Sequence, residues 1–394
     1  MRSLLIIIGL LILIAIEILR VYFIMPFPGS QHKNTIELAY WLNRNIIWLR
    51  VLLLVIITYP IFLFFRHSKI WQKIVVCIGL MLYAVIFYFF NFRFLAQKMF
   101  LQPHDKSFAS ISNNKIGSNK LVIGVEFGGE AKAYPIQIIG YHHFIMDTVG
   151  NTPVIITYCT VCRTGRVFSP LIKGKLGTFR LVGMDHFNAM LEDASTKSWW
   201  QQATGIAVVG PLKGNALHEL PSQQLSLSAW LRKHPASSIM QEDTFFHKQY
   251  EDLALYDKGT LKSSLEKRDS LSWNKKSWVV GIDQHHHARA YDWNELVAKQ
   301  LIQDSLVNLP LIIFIEKDSS DFHVWSRMVN GKILNFEKDL ITDGFVDLQT
   351  HSTWTGDGLC VAGILKGHQL QTIQAYQEFW HSWQTFHPNT TKYN

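Results

Sequence analysis

The chain has 394 residues, 48% of them hydrophobic, with four cysteines and a formal net charge of +8. That excess sits wholly in residues 1–100, where ten Lys/Arg face only Glu17 and Glu37, while the remainder carries 28 of each sign. A neutral soluble part offers no electrostatic footprint for a phosphate backbone, so no nucleic-acid partner is expected.

Three apolar stretches open the chain: Leu4–Met25, Ile46–Phe65 and Ile74–Phe90. A helix needs about 20 residues to cross a hydrocarbon core of roughly 30 Å, so residues 1–100 predict a membrane region of three transmembrane helices with the lipid bilayer as partner. Trp71 and Phe92 would anchor the third at the interface. Arg50, near the start of the second, is expected to snorkel, and Glu17 and Arg20 can pair on one helix face. The first stretch is too long for a cleaved signal and lacks a small-x-small site. The basic cluster Arg66, Lys69 and Lys73 favours that loop inside, which places residues 100–394 outside the cytoplasm.

Residues 101–117, rich in Ser, Asn and Lys, read as a linker. Residues 118–235 and 275–388 then read as two copies of one unit. Val122–Tyr134 matches Val279–Tyr291 at an offset of 157 that also pairs Asp147 with Asp304 and Pro153 with Pro310. Leu121–Phe127 and Ala131–Tyr134 predict a hairpin about Gly128-Gly129. Thr152–Tyr158 predicts a strand buried on both faces, followed by strands at Arg166–Ser169 and Thr178–Val182. A short helix is expected at Asp185–Leu191 and another at Leu225–Lys233. The charged segment 236–274 reads as a solvated connector. The second copy predicts strands at Trp278–Ile282, Leu309–Ile315 and Ile333–Phe336, then a helix over Gln371–Phe386. The fold class is therefore mainly β (α+β): an internally duplicated β-rich domain with pseudo-twofold repeats, preceded by a transmembrane helical region.

Features present in one copy only are the candidates for chemistry. Cys159-Thr160-Val161-Cys162 follows the buried strand, and the second copy has Glu316 and Ser319 at the cysteine places. His142, beside His143, is matched by Lys299. Two thiols at this spacing can chelate an ion, cycle as a redox dithiol or close a structural bridge. In the first case zinc or copper would take Cys159, Cys162 and His142, with His143 as a further candidate ligand. The turn-and-strand sequence after Cys162 disfavours a thioredoxin-like helix N-terminus. An iron–sulfur cluster wants four cysteines, and Cys77 and Cys360 are badly placed. His285-His286-His287 reads as a solvated turn. The pattern Asp193, Thr196, Ser198, Trp200 recurs as Asp347, Thr350, Ser352, Trp354, which suits a local turn network anchored by the indole. No Walker loop, GxSxG elbow or HExxH is present.

These residues resemble a bacterial family known only as a domain of unknown function, DUF3179. Its pattern runs from an Ala-Tyr-Pro strand through a His-Glu-x-x-Asn-Asp segment to Tyr-Cys-Pro-x-Cys-Gly-Thr-Gly, then Thr-x-Ser-x-Trp-x-Gln. Here these are Ala133-Tyr134-Pro135, His142 to Asp147, Tyr158 to Gly165 and Thr196 to Gln202. The chain departs at His143 (for Glu), Met146 (for Asn), Thr160 (for Pro) and Arg163 (for Gly). The resemblance implies a bacterial source, and hence an inner-membrane protein with its soluble domain on the periplasmic side. It implies no activity. The function expected from the residues is metal binding or thiol redox chemistry at the Cys/His site, with a non-enzymatic scaffold holding an inert bridge as the alternative.

Overall fold

The computed structural model describes residues 2–32, 34–284, 286–339 and 343–393. They form two compact units, one of Met1–Leu101, Gly177–Gln201 and Gly205–Ala216, the other of Gln102–Leu176, Gln202–Thr204 and Leu217–Asn394.

In the first unit, helices α1 (Arg2–Tyr22), α2 (Ile36–His67) and α3 (Ile70–Tyr88) are apolar, and α3 runs on into a π-helical turn, Phe89–Arg93. Three segments, Ser3–Tyr22, Ile36–His67 and Ile70–Arg93, are long and apolar enough to cross a membrane. Helix α2 starts ten residues before the apolar run that marks it. At 1.5 Å per residue it spans about 48 Å, more than a hydrocarbon core of about 30 Å needs. Arg50 does not snorkel. Its guanidinium donates to Glu17 at 2.5 and 2.7 Å, Asn91 donates to the same carboxylate at 3.0 Å, and Arg20 stands 3.9 Å away. A fully buried carboxylate among apolar helices recruits whatever donors can reach it, and these outcompete the interface.

The same unit holds a four-stranded antiparallel sheet in the order Ala207–Val209, Trp199–Gln201, Asn188–Asp193, Phe179–Asp185. The helix expected at Asp185–Leu191 is instead a hairpin. His186 and Phe187 adopt positive φ of 49° and 67°, the backbone of a tight primed turn without the glycine that usually signals it. The sheet meets the helices at several points. Met184 N donates to Ile24 O at 2.7 Å, Tyr40 packs edge-on to Trp199 at 5.1 Å, and Lys213 pairs with Glu37.

The second unit contains many small sheets with short helices. Leu121–Phe127 and Glu130–Pro135 pair as the expected hairpin, with Gly128 and Gly129 both at positive φ in its turn. Flanked by Gln223–Ser226, Ser238–Met240 and Phe108–Ala109, they make a five-stranded sheet. Phe144–Val149, Thr152–Cys159 and Thr164–Phe168 form an antiparallel three-stranded sheet whose middle strand is buried from Val154 on. Trp278–Gln284 and His287–Asp292 form another hairpin, and Leu301–Leu306, Leu309–Ile315 and Phe322–Ser326 another three-stranded sheet. His286 sits at φ 66° in the turn, so the histidine tract is a hairpin tip, with His285 outside the described residues.

Two expectations fail here for the same reason, tertiary pairing overriding local pattern. Segment 236–274 is no solvated excursion. Its Phe246, Tyr250 and Tyr256 are buried in the core with Tyr134, Ile139 and Tyr158. Likewise, Gln371–Phe386 is not one helix. Tyr376–Phe379 pairs with Trp278–Gly281, and only Trp380–Phe386 is helical. The linker too is tied down, by Phe108–Ala109 on Ser238–Met240.

Candidate functional site

The cysteine motif caps a hairpin. Cys159 pairs with Thr164 across the two strands, leaving a four-residue loop closed by Cys162 N donating to Cys159 O at 3.3 Å. Arg163 completes the turn in left-handed backbone, φ 58°. A glycine takes that conformation without strain. Arginine is held by its side chain instead. The guanidinium lies 3.9 Å over the Trp278 ring, and Nε donates to Gln377 Oε1 at 2.9 Å.

Both cysteines are fully buried thiols, and the two side chains hydrogen-bond. Burial pushes the Cys162 thiol well above its ordinary range. The second thiol pushes the same way, while the Ser382 hydroxyl and the Lys276 ammonium oppose it. Lys276 is itself pushed down to about 8 by burial, against the pull of both sulfurs. It is pinned over the loop, donating to Val161 O at 2.7 Å and to Leu265 O. The loop docks on the Tyr376–Phe386 segment. Phe379 N donates to Cys162 O at 3.0 Å, Thr164 Oγ1 meets Ser382 Oγ at 3.1 Å, and Arg166 donates to Glu378 at 2.6 Å.

Each histidine has a polar partner outside the thiols. His142 Nε2 lies 2.6 Å from the Tyr250 hydroxyl, with its ring against Phe246. His143 ends the helix Ile136–His142 at φ 64°, and its Nδ1 meets Tyr158 O at 3.1 Å. Burial drives His143 down to about 4, so it is neutral at physiological pH. The geometry therefore brings the sulfurs together and sets His143 beside the residue that precedes Cys159. Among the described residues, the group that places three His/Cys/Asp/Glu ligand atoms within 4.8 Å of one another is Glu316, His323 and Asp357. There Arg232 already pairs with both carboxylates and His323 Nε2 with Glu316, which makes it an ion-pair network.

The Asp/Thr/Ser/Trp patterns close local turns. Thr196 N and Oγ1 each reach Asp193 at 2.6 Å, and Trp200 Nε1 donates to it at 3.0 Å. Thr350 N and Trp354 Nε1 reach Asp347 at 2.6 and 3.1 Å. Ser198 and Ser352 Oγ accept from Leu212 N and Leu365 N. Lys276 and Ser382, the groups that act on Cys162, carry no sequence signal of that role. Nothing in the sequence marks Lys276, which lies 114 residues beyond Cys162.

Comparison with known proteins adds one finding. The family model described as "Protein of unknown function (DUF3179)" matches residues 103–390. Neither a curated protein nor a solved structure matches the chain.

Proposed function

We propose, for a chain that belongs to the DUF3179 family, that Cys159 and Cys162 exchange electrons with a disulfide-bearing partner. One thiolate attacks the partner disulfide and forms a mixed disulfide. The second cysteine displaces it, closing the Cys159–Cys162 ring and leaving the partner as a dithiol, so two electrons pass to the partner. The observation that carries this reading is the set of groups around Cys162: a second thiol, a hydroxyl and an ammonium. An ammonium stabilises a thiolate but repels a divalent cation. Full burial keeps the pair protonated and slow until the loop opens.

The same reading takes 118–235 and 275–388 as a duplicated unit. Its support is reciprocal docking. The cysteine turn receives Phe379 N at the start of helix Trp380–Phe386, while Asp321, in the turn after Leu309–Ile315, receives Ser226 N and Oγ at the start of helix Leu227–Lys233. A Cβ on Gly124 would strike Trp230, and one on Gly281 would strike Trp383. Each of those indoles lies against the histidine four residues on, with ring centroids 3.9 and 3.7 Å apart. The basic loop 66–73 supports an inner-membrane protein with residues 100–394 on the periplasmic side.

The test is equilibration of the purified full-length protein in detergent with dithiol/disulfide redox buffers, read by mass spectrometry with Cys159→Ser as control. A reversible loss of two hydrogens within one chain is expected, absent in the variant. Stoichiometric zinc or copper bound through the thiols would replace this reading with a metal site. A bridge that no buffer reduces in the folded state would make it structural.

A further inference from the structure

A cavity of about 540 Å³, well within the usual range for small-molecule sites, opens beside the cysteine turn and is lined by Arg163, Arg268, Trp278, Trp293, Asn294 and Val297 among others. Two guanidiniums share one indole in its wall. Arg163 lies 3.9 Å over the Trp278 ring and Arg268 4.3 Å, with Trp293 edge-on to Trp278 at 6.0 Å. Arg166, three residues from Arg163, has Glu378 and Glu219 as counter-charges. Arg163 and Arg268 have neutral oxygens instead: Gln377 Oε1 at 2.9 Å for one and Asn294 Oδ1 at 2.6 Å for the other. Among the described residues neither has an ion pair. Two like charges close together, with Arg163 fully buried and Arg268 half-buried, are unfavourable unless an anion joins them. Burial and Arg163 both push Arg268 down, with Asp292 opposing.

The wall holds a second sign of incompleteness. Arg268 Nε, Trp278 Nε1 and Asp257 Oδ1 are buried without a hydrogen-bond partner, three such atoms around one cavity. Native proteins satisfy nearly all buried polar groups, so a cluster of exceptions calls for a functional reason. Asp257 is an acid that interacts with Arg163; burial raises its carboxyl, which weakens it as a counter-charge. Lys258 and Asp318 at the rim offset each other. Leu121, Trp278, Trp293 and Val297 give the wall an apolar stretch, beside the neutral polar side chains of Asn119, Ser319 and Ser320.

We propose that this cavity binds a small organic carboxylate, with the carboxylate between Arg163 and Arg268 and the apolar body against Trp278, Trp293 and Val297. A guanidinium's planar fork matches a carboxylate with two parallel hydrogen bonds, and the indole faces suit a flat hydrocarbon group. Inorganic phosphate would satisfy the arginines but leave the apolar wall uncovered. The inference does not depend on the redox reading of the thiols and stands if that reading fails.

Isothermal titration calorimetry of the full-length protein in detergent tests it, using phenylacetate as probe, with phenylacetamide and inorganic phosphate for comparison. Saturable one-to-one binding of phenylacetate is expected, with each comparator at least about tenfold weaker. Arg268→Gln should weaken phenylacetate by about tenfold or more. Asn294→Asp keeps both arginines but gives Arg268 a resident carboxylate, and it should abolish binding without unfolding the chain. Absence of saturable binding overturns the proposal. So does equal binding of the amide or of phosphate, or indifference to both substitutions in folded protein.

Discussion

Two hairpins in the second unit share a register and differ in what their turns hold. In Thr152–Cys159/Thr164–Phe168, Tyr158 faces Gly165; in Leu309–Ile315/Phe322–Ser326, Ile315 faces Phe322. Both loops carry the same internal bond, Cys162 N to Cys159 O and Ser319 N to Glu316 O. The first turn encloses thiols, and its strand sends Arg166 into a fully buried pair with Glu378. The second places half-buried Glu316 and His323 with the more exposed Arg232. One backbone frame thus supports a dry, charge-sensitive interior in one place and a solvated ion network in the other. The side chains carried on that frame, at the turn and on its strands, decide which.

The largest expected effect comes from breaking the buried pair. Glu378→Ala should destabilise by about 3 kcal/mol, because buried Arg166 loses its buried partner and keeps only the partly exposed Glu219. Glu316→Ala, at the half-exposed counterpart, should cost about 1 kcal/mol or less. Chemical denaturation of both variants measures the contrast, and equal losses would show that burial does not separate the two regions. Acid titration should come next. His143 is held neutral down to about 4, whereas in the unfolded chain it protonates near the ordinary 6.5. The unfolded state therefore binds the extra proton first, and stability falls as pH drops from 6.5 towards 4, by about 3 kcal/mol in total. His143→Gln, which copies the residue at the left-handed cap Gln300, should remove most of that slope in pH-dependent unfolding curves. The smallest effect concerns reactivity. Lys276→Met removes the cation that favours the thiolate, so alkylation of the pair near neutral pH, where Lys276 is still charged, should slow by about tenfold. Unchanged rates would detach Lys276 from the site.

Much of this frame could be read from residue patterns. The Gly128-Gly129 hairpin, the doubly buried cysteine strand and the indole-anchored Asp193 and Asp347 turns follow from local spacing and turn chemistry. What escaped reading depended on distance or on unmarked backbone. His186 and Phe187 turn a chain with side chains that give no warning of positive φ. Tyr376–Phe379 has helical apolar spacing but is claimed as a strand by Trp278–Gly281. Phe246, Tyr250 and Tyr256 are scattered through a charged segment and still fill the core. At the site, the cysteines were visible as a pair; Lys276 and Ser382 come from more than a hundred residues away.

The pairing of Glu17 with Arg50 bears on how helices this apolar would enter a bilayer. The carboxylate leaves the ribosome 33 residues ahead of its guanidinium partner, and an acidic group stranded in lipid is penalised by a few kcal/mol. Helix α1 is thus a poor stand-alone anchor during biogenesis. The translocon is expected to retain it until α2 emerges, so that the two partition into lipid as a neutralised couple.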